Sequence, residues 1–408
     1  MTAARTALVI GGGIAGPVVA MALRRAGIEA TVYEAYPSTA DGVGVTLTIA
    51  PNGLSALEIV GAADAVRDIG RPMHRAILSS GDGGRIGVLP GLADLPPSLG
   101  LWRDELCRTL HDVAAEQGVR VEYGKRLVDV LEEPDRIVAA FADGTTAAAD
   151  ILIGADGIRS TVRRLIDPDA PTPDRAPLLN FGAAADTPVR AEIDATYFVF
   201  GERAFFGYWV QPDGRTAWFA NVPHPRPLSG AEARETAKDE WMRRLKDLYA
   251  DDVPARDVLA GTAVDDLVVL GSLESMPKVP HWHRGRMVLV GDSAHAPSSS
   301  SGQGASMAVE SAVQLARCLR DLPDPGSAFA AYERLRRHRV EKVIDRGAKT
   351  DNSKTFGPFA KAMMRIMMPL MLKTFLNPER TLGLEQRYRI DWDAPVTPAA
   401  RPAAGDRR

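Results

Sequence analysis

Two cysteines, Cys107 and Cys318, in 408 residues are too few for a disulfide framework or a cysteine-rich metal site. Net charge is also scarce. Lys and Arg number 49 against 52 Asp and Glu, so nothing global attracts nucleic acid, polyanions or an anionic membrane surface. No apolar run is long enough to span a bilayer: Gly11, Gly12 and Gly13 break the N-terminal one, and Phe359 to Leu376 carries Lys361, Arg365 and Lys373 around Pro369. A cytoplasmic chain with no membrane span is therefore expected. Its 45% hydrophobic and 25% charged residues suit a globular protein of two or three domains and exclude disordered and fibrous classes.

The strand Ala7 to Ile10, a glycine turn, a helix from Ala15 to Ala26 stopped by Gly27 and a strand Ala30 to Tyr33 together read as a parallel βαβ unit. Further helices are expected at Gly53 to Val60 and Arg103 to Gln117. A hairpin is expected between Arg75 and Leu89, turning at Gly81 to Gly84. Val119 to Tyr123, Leu127 to Leu131 and Ile137 to Phe141 suggest a small antiparallel piece before the apolar strand Ile151 to Ile153. Aromatic residues are only 6% of the chain, and many gather in the turn-punctuated strands between Ala176 and Val222. That stretch reads as a meander inserted into an α/β domain, because Met287 to Val290 returns to the texture of a buried parallel strand. Helices follow at Gln303 to Leu319, Ser327 to Arg346 and Phe356 to Phe375. The Ala-, Pro- and Arg-rich residues from Asp393 onward are expected to form a disordered tail.

Three glycine-bearing sites carry the chemistry. Gly11, Gly13 and Gly16 form GxGxxG between a strand and a helix, where the chain turns tightly and the helix N-terminus can receive a pyrophosphate. Glu34 closes the next strand, placed to accept hydrogen bonds from an unphosphorylated ribose, which suits FAD or NAD and disfavours NADP at this site. The second site is Asp150 to Arg163, DILIGADGIRSTVR, with Asp156 and Gly157 after a buried strand. In the third, the strand MVLV meets Gly291 and Asp292, a Ser-rich loop, and then Gly302, Gln303 and Gly304 opening a helix. Both Asp156 and Asp292 fall at the C-terminal ends of strands, where open α/β sheets bind ligands.

In order and context these sites resemble the FAD fingerprints of the para-hydroxybenzoate hydroxylase family, the single-component class A flavoprotein monooxygenases. The resemblance runs from Thr6 to about Asp345. It implies an α/β fold with a glutathione-reductase-like Rossmann FAD-binding domain, an inserted antiparallel β-sheet substrate domain and C-terminal helices. The expected FAD-binding domain is residues 1–75, 98–175 and 276–326, the substrate domain 76–97 and 176–275, the helices 327–392 and the tail 393–408. Gly11, Gly13 and Gly16, with Ile14 and Ala15, would hold the FAD pyrophosphate and Glu34 the adenosine ribose. Asp292 would serve the ribityl or pyrophosphate region. Arg103, in LWRDEL, would reach the flavin, and Asp156 would lie near both FAD and a passing nicotinamide. The helix opening at Gly302, Gly304 and Ala305 would aim its N-H groups at the pyrimidine edge of the flavin.

The same resemblance implies that NADPH or NADH docks transiently, since the chain has no second dinucleotide fingerprint. O2 then forms a flavin C4a-hydroperoxide that delivers one oxygen atom to the substrate while the other becomes water. Epoxidation, Baeyer-Villiger oxidation, N-hydroxylation, reduction, or a non-catalytic flavin-binding protein remain alternatives at this point, as does a monomer or a homodimer. A halogenase is disfavoured by the lack of a WxWxIP-like segment. A plain NAD-dependent dehydrogenase would leave the second and third sites unexplained.

One departure stands out: where the family loop GDAAHxxxPxxGxG has proline, this chain has Ser299, with Pro297 two residues earlier. The substrate, an aromatic or polyketide-like small molecule, is expected against the aromatic strands, with Phe206, Tyr208, Trp218, Asn221, Pro297 and Ser299 as candidates. Phe205, Trp209 and Phe219 belong to the same pool, of which strand alternation allows about half to face the pocket. No catalytic base is assigned. His281 and His283 read as loop residues rather than metal ligands. His295 could touch flavin or substrate, or be structural. Arg334, Arg336, Arg337, His338 and Arg339 read as a solvated helix face, and Met363 to Met371 as core filling or a substrate entrance.

Overall fold

The computed structural model describes residues 3–39, 45–353 and 379–397. The expected helix Phe356 to Phe375, its methionines, and the chain beyond Thr397 lie outside those residues.

The strands β1 (Thr6–Ile10), β2 (Glu29–Tyr33), β8 (Arg120–Glu122), β12 (Ile151–Gly154), β18 (His283–Arg284) and β19 (Met287–Leu289) form one sheet, in the order β18-β19-β12-β1-β2-β8. The β19-β12-β1-β2-β8 pairings are parallel. All four residues of β12 are buried, as a parallel strand covered on both faces requires. The helix α1 (Ala15–Arg25) follows β1 and ends where Gly27 takes φ +79°, a left-handed stop that costs glycine little. It packs against α10 (Gly304–Asp321). One correction concerns residues 119–123: β8 does not join the antiparallel piece but pairs parallel with β2. The antiparallel piece is β9 (Leu127–Glu132), β10 (Ile137–Phe141) and β11 (Thr146–Ala149).

A second sheet runs β17-β13-β16-β15-β14-β5-β6. It comprises the hairpin β5 (Arg75–Ser80) and β6 (Arg85–Pro90), then β13 (Asp174–Ala185), β14 (Ala195–Phe200), β15 (Phe205–Val210), β16 (Thr216–Pro223) and β17 (Val268–Ser275). The hairpin thus joins the meander across about a hundred residues of chain. Its β5 pairs parallel with β14, so the sheet is mixed rather than wholly antiparallel. The helices α6 (Gly230–Glu235), α7 (Lys238–Leu248) and α8 (Ala255–Ala260) contribute Trp241, Leu245, Tyr249 and Leu259 to the apolar core on one face of this sheet. The other face meets a small sheet of β3 (Thr46–Ile49), β7 (Ser98–Trp102) and β4 (Arg71–Met73), which sequence periodicity did not reveal.

The remaining helices are α2 (Pro51–Ile59), α3 (Ala63–Ile69), α4 (Arg103–Glu116), α5 (Thr161–Ile166), the short α9 (Asp292–His295), α11 (Pro325–Ser353) and α12 (Leu384–Gln386). The packed chain also passes Asp393, the expected start of the tail. Arg317 donates to the Ala394 carbonyl, the Val396 N-H donates to Asp321, and Val396 is buried. Among the described residues no helix is long and apolar enough to cross a membrane.

Candidate active site

The first glycine turn is tight for a measurable reason. A Cβ on Gly11 would lie 2.5 Å from the Ala155 carbonyl oxygen, and one on Gly16 would lie 2.0 Å from the Gly11 carbonyl oxygen. Gly13 has nothing within 4 Å of its Cβ position, so this glycine opens space instead of filling it. Ile14 is the cap and Ala15 the first residue of α1, which has neither a capping side chain nor an acid in its first turn. Its leading N-H groups and positive dipole end are left for an anion.

Glu34 stands beside that turn, its Oε2 accepting the Gly12 N-H at 2.6 Å and its Oε1 the Tyr36 N-H at 2.9 Å. Each oxygen keeps a second lone pair for a hydroxyl. Sequence reasoning missed the support underneath. Buried His111, on α4, approaches the Gly12 carbonyl through Nε2 at 2.5 Å, while the Tyr123 hydroxyl lies 3.1 Å from Nδ1. A carbonyl can only accept, so the proton belongs on Nε2 and Tyr123 donates to Nδ1. Nothing in the spacing of His111 announces this role.

The second site is largely a lock. Asp156 Oδ1 accepts the Ser160 hydroxyl at 2.5 Å, and Oδ2 accepts the Thr161 and Val162 N-H groups at 2.7 and 3.1 Å. The carboxylate therefore caps α5, while the Asp156 backbone packs under Gly11, whose Cβ would lie 2.8 Å from its Cα. Buried Arg163, quoted in the motif but given no role there, donates to the Ile158 and Ser293 carbonyls at 2.6 and 2.9 Å. The Ser293 hydroxyl donates to the Gly154 carbonyl at 2.6 Å, which ties the second site to the third.

Gly291 brings the third site against the first. At φ +68° its Cβ position would fall 3.1 Å from Ala15 and 3.2 Å from Ala308, between α1 and α10. Asp292 opens onto the cleft but is walled by protein elsewhere. Its side chain is exposed there, yet the protein around it raises its carboxyl pKa by desolvation, against the pull of the Arg103 charge from α4. The helix α10 has no capping side chain and no acid in its first turn. Gly302 has φ +62°, Ala305 is partly exposed, and the Cβ position of Gly304 is no closer than 3.9 Å to Pro297. Two uncapped helix N-termini, Glu34, Asp292 and Arg103 thus share one cleft. This donor set fits an FAD: anion-accepting N-H groups at the middle, a diol acceptor at one end, and a helix dipole at the other.

Behind α10 lies a buried polar network that sequence reasoning also missed. Asn52 donates to Gln303 at 3.0 Å and to Glu310 at 2.7 Å, and Glu310 pairs with fully buried Arg336 at 2.6 Å and with Arg339 at 2.8 Å. The expected solvated basic face is corrected accordingly: Arg336 is a core residue, because α11 turns it onto α10. His295 is buried against Ser311 at 2.8 Å and beside Trp282, so it is structural. His281 and His283 form no metal cluster among the described residues.

Strand alternation separates the aromatic candidates. Phe206, Tyr208 and Trp218 pack with Tyr249 in the core under α6 to α8, facing away from the cleft, and these three substrate assignments are corrected. The opposite face carries Phe205, Gly207 and Trp209 opposite Asn221, Phe219 and Ala217. Trp209 packs on Met73 and Gly100, and Val45 would meet a Cβ on Gly182, so this face looks toward β3 and β7. Asn221 lies on this face, registered with Phe205. Pro297 is buried beneath the loop, and Ser299 is exposed at the start of a single 3-10 turn, Ser299–Ser301, capped by Ser298.

The glycine turns, the ribose acceptor and the open helix N-termini define a dinucleotide-binding protein of the α/β class. The model of the FAD binding domain family matches residues 4–347, and the chain belongs to that family. Among curated proteins it is 29% identical to the aurachin C monooxygenase/isomerase of Stigmatella aurantiaca, over 83% of this chain and 87% of the relative. It is 31% identical to the 3-amino-4-hydroxybenzoate 2-monooxygenase of Streptomyces cremeus, over 84% and 85%. The structure of Klebsiella pneumoniae HpxO with FAD and uric acid superposes with a TM-score of 0.81 at 24% identity, covering 94% and 96% of the two chains. The protein is a single-component FAD-dependent monooxygenase.

Proposed function

We propose that the protein hydroxylates an aromatic or polyketide-like small molecule held between FAD and the aromatic face of the second sheet. The observation that carries this reading is the presence of two uncapped helix N-termini, Asp292 and Arg103 in a chain whose second sheet turns Phe205, Phe219 and Asn221 toward β3 and β7, the strand that leads into Arg103. NADPH or NADH is the transient reductant and O2 the oxidant. When bound, FAD supplies two-electron chemistry and oxygen activation.

The chain's own residues do the rest. The N-H groups of α1 hold the pyrophosphate and Glu34 the ribose, with Gly12 fixed from below by His111. Gly11, Gly13, Gly16, Asp292, Gly302, Gly304 and Ala305 line the cofactor cleft, and Arg103 adds its positive charge there. The dipole of α10 favours negative charge at its N-terminus, and the aromatic sheet face excludes water from the reacting side.

The balance is one oxygen atom into a substrate C-H bond and one into water, with both electrons and one hydrogen from the nicotinamide and a proton from solvent. The test is aerobic turnover of the FAD-loaded protein with NADPH and labelled O2 across a panel of aromatic ligands. Label in one ligand-derived product, with one NADPH consumed per product, is expected. NADPH oxidation that yields only hydrogen peroxide with every ligand would refute the reading, and an epoxide or lactone product would replace hydroxylation by that outcome.

A further inference from the structure

The site-facing side of the second sheet carries neutral residues in the middle of its four central strands. Across β13, β16, β15 and β14 the registered residues are Asn180 and Gly182, then Asn221, Phe219 and Ala217, then Phe205, Gly207 and Trp209, then Phe200 and Phe198. Phe219 lies flat on the sheet, since a Cβ on Gly207 would fall 2.3 Å from its ring. Its ring centroid is 6.1 Å from that of Phe205 and 6.4 Å from that of Phe198, and Phe200 meets Phe205 edge-on at 5.5 Å. Phe198, Phe200 and Phe219 are partly exposed, unlike the fully buried residues that alternate with them on the helix side. Polar groups on this floor include an amide pair, Asn221 donating to Asn180 at 3.4 Å, and the indole N-H of Trp209.

The arginines at the strand ends of this sheet already have partners, Arg85 with Glu192 among them. Arg75 pairs with Asp194 and Glu192, Arg175 with Glu274, and Arg215 with Asp186. Arg103 belongs to α4 rather than to the sheet, and its charge acts on Asp292.

We propose, resting on the monooxygenase reading, that the substrate is a neutral planar ring system, stacked on Phe219 and Phe205 with a lactam-like hydrogen-bonding edge toward the Asn180–Asn221 pair. Rings bearing a carboxylate are disfavoured. A buried anion must be paired or it loses its hydration uncompensated, and no cation on this face of the described sheet offers that pairing. Flat aromatic surface instead finds offset and edge-on partners, and an amide pair can both donate and accept.

The test compares 2-quinolone with 2-quinolone-4-carboxylate on the FAD-loaded protein. Binding is read from the perturbed flavin absorbance, and NADPH oxidation is followed separately. The neutral ring is expected to bind about a hundredfold more tightly than the carboxylate, the scale set by an unpaired buried charge. Phe219→Arg, at a partly exposed position, should shift the ratio at least about tenfold toward the carboxylate; Phe205→Arg is a second variant with the same expectation.

Equal or tighter binding of the carboxylate by the wild type overturns the proposal, as does binding of neither ring. An unchanged ratio in a folded, FAD-containing Phe219→Arg protein also overturns it. If the neutral ring binds selectively but no ligand is oxygenated, the specificity stands and the monooxygenase reading is what fails.

Discussion

Replacing Glu310 by alanine tests the most demanding electrostatic arrangement in the molecule. Its carboxylate is fully buried and meets Arg336 at 2.6 Å, Arg339 at 2.8 and 2.9 Å, and Asn52 at 2.7 Å. Arg336 is itself fully buried, so the substitution leaves a guanidinium without its counter-ion in a low-dielectric setting. Breaking a buried pair from one side costs about 3–5 kcal/mol. At about 2–4 °C per kcal/mol for a domain of some 200 residues, the thermal midpoint should fall by about 6–20 °C.

Glu310→Gln should lose nearly as much, because charge rather than shape is what Arg336 requires. The double variant Glu310→Leu with Arg336→Met should recover most of the loss. Calorimetry of the FAD-loaded protein reads all three. Glu240→Ala, at a partly exposed surface carboxylate paired with Arg243 and Arg244, is the control expected to change the midpoint little.

The pH dependence has a definite sign. Burial alone would raise the Glu310 carboxyl pKa, but Arg336 and Arg339, helped by Asn52, hold it below the ordinary 4.5. A depressed carboxylate contributes stability that is present above its unfolded pKa and is lost as pH falls through the lowered value. A Glu310→Ala protein within about 2 °C of wild type would refute the reasoning.

Gly16→Ala should abolish FAD retention, measured as flavin absorbance per protein, because its Cβ would lie 2.0 Å from the Gly11 carbonyl oxygen in the turn that receives the pyrophosphate. His295 is held neutral down to about 3, burial being the main cause and Arg336 the second. The unfolded chain binds that proton from its ordinary 6.5 downward, so His295 withdraws about 1.4 kcal/mol of stability per pH unit below 6.5. Denaturant midpoints at pH 7 and pH 5 should therefore differ less in His295→Asn than in wild type; an equal difference would refute this. Ser299→Pro should leave both FAD content and turnover unchanged, since Ser298 has the extended ψ of 144° that precedes proline readily and position 299 opens a helical turn. Loss of turnover would show that the loop needs the serine itself.

Some of the molecule was legible before any coordinates. The βαβ start, the three glycine sites and the Arg75–Leu89 hairpin are local patterns: buried runs, a helix stopped by Gly27, and glycines where the backbone turns or approaches itself. The uneven part was orientation. Alternation along β15 and β16 established that half the aromatic residues share a face, yet it was silent on which face meets the cleft, and Phe206, Tyr208 and Trp218 proved to be core. The parallel pairing of β5 with β14 and of β8 with β2 was equally hidden, since hydrogen-bond partners distant in sequence leave no periodic trace.

The sequence by itself determined that a dinucleotide is bound, because a pyrophosphate turn needs glycines at set spacings and a ribose acceptor about twenty residues on, all within one βαβ unit, and the order of the three glycine sites pointed to FAD by resemblance. Tertiary structure alone decided how the third glycine site closes on the first, why Arg336 is a core cation rather than a solvated one, and which side of the aromatic sheet is presented to substrate. Each depends on contacts between segments up to some three hundred residues apart, as when α10 carries Glu310 to Asn52. Local chemistry fixes what a segment can form, and only packing fixes what it meets.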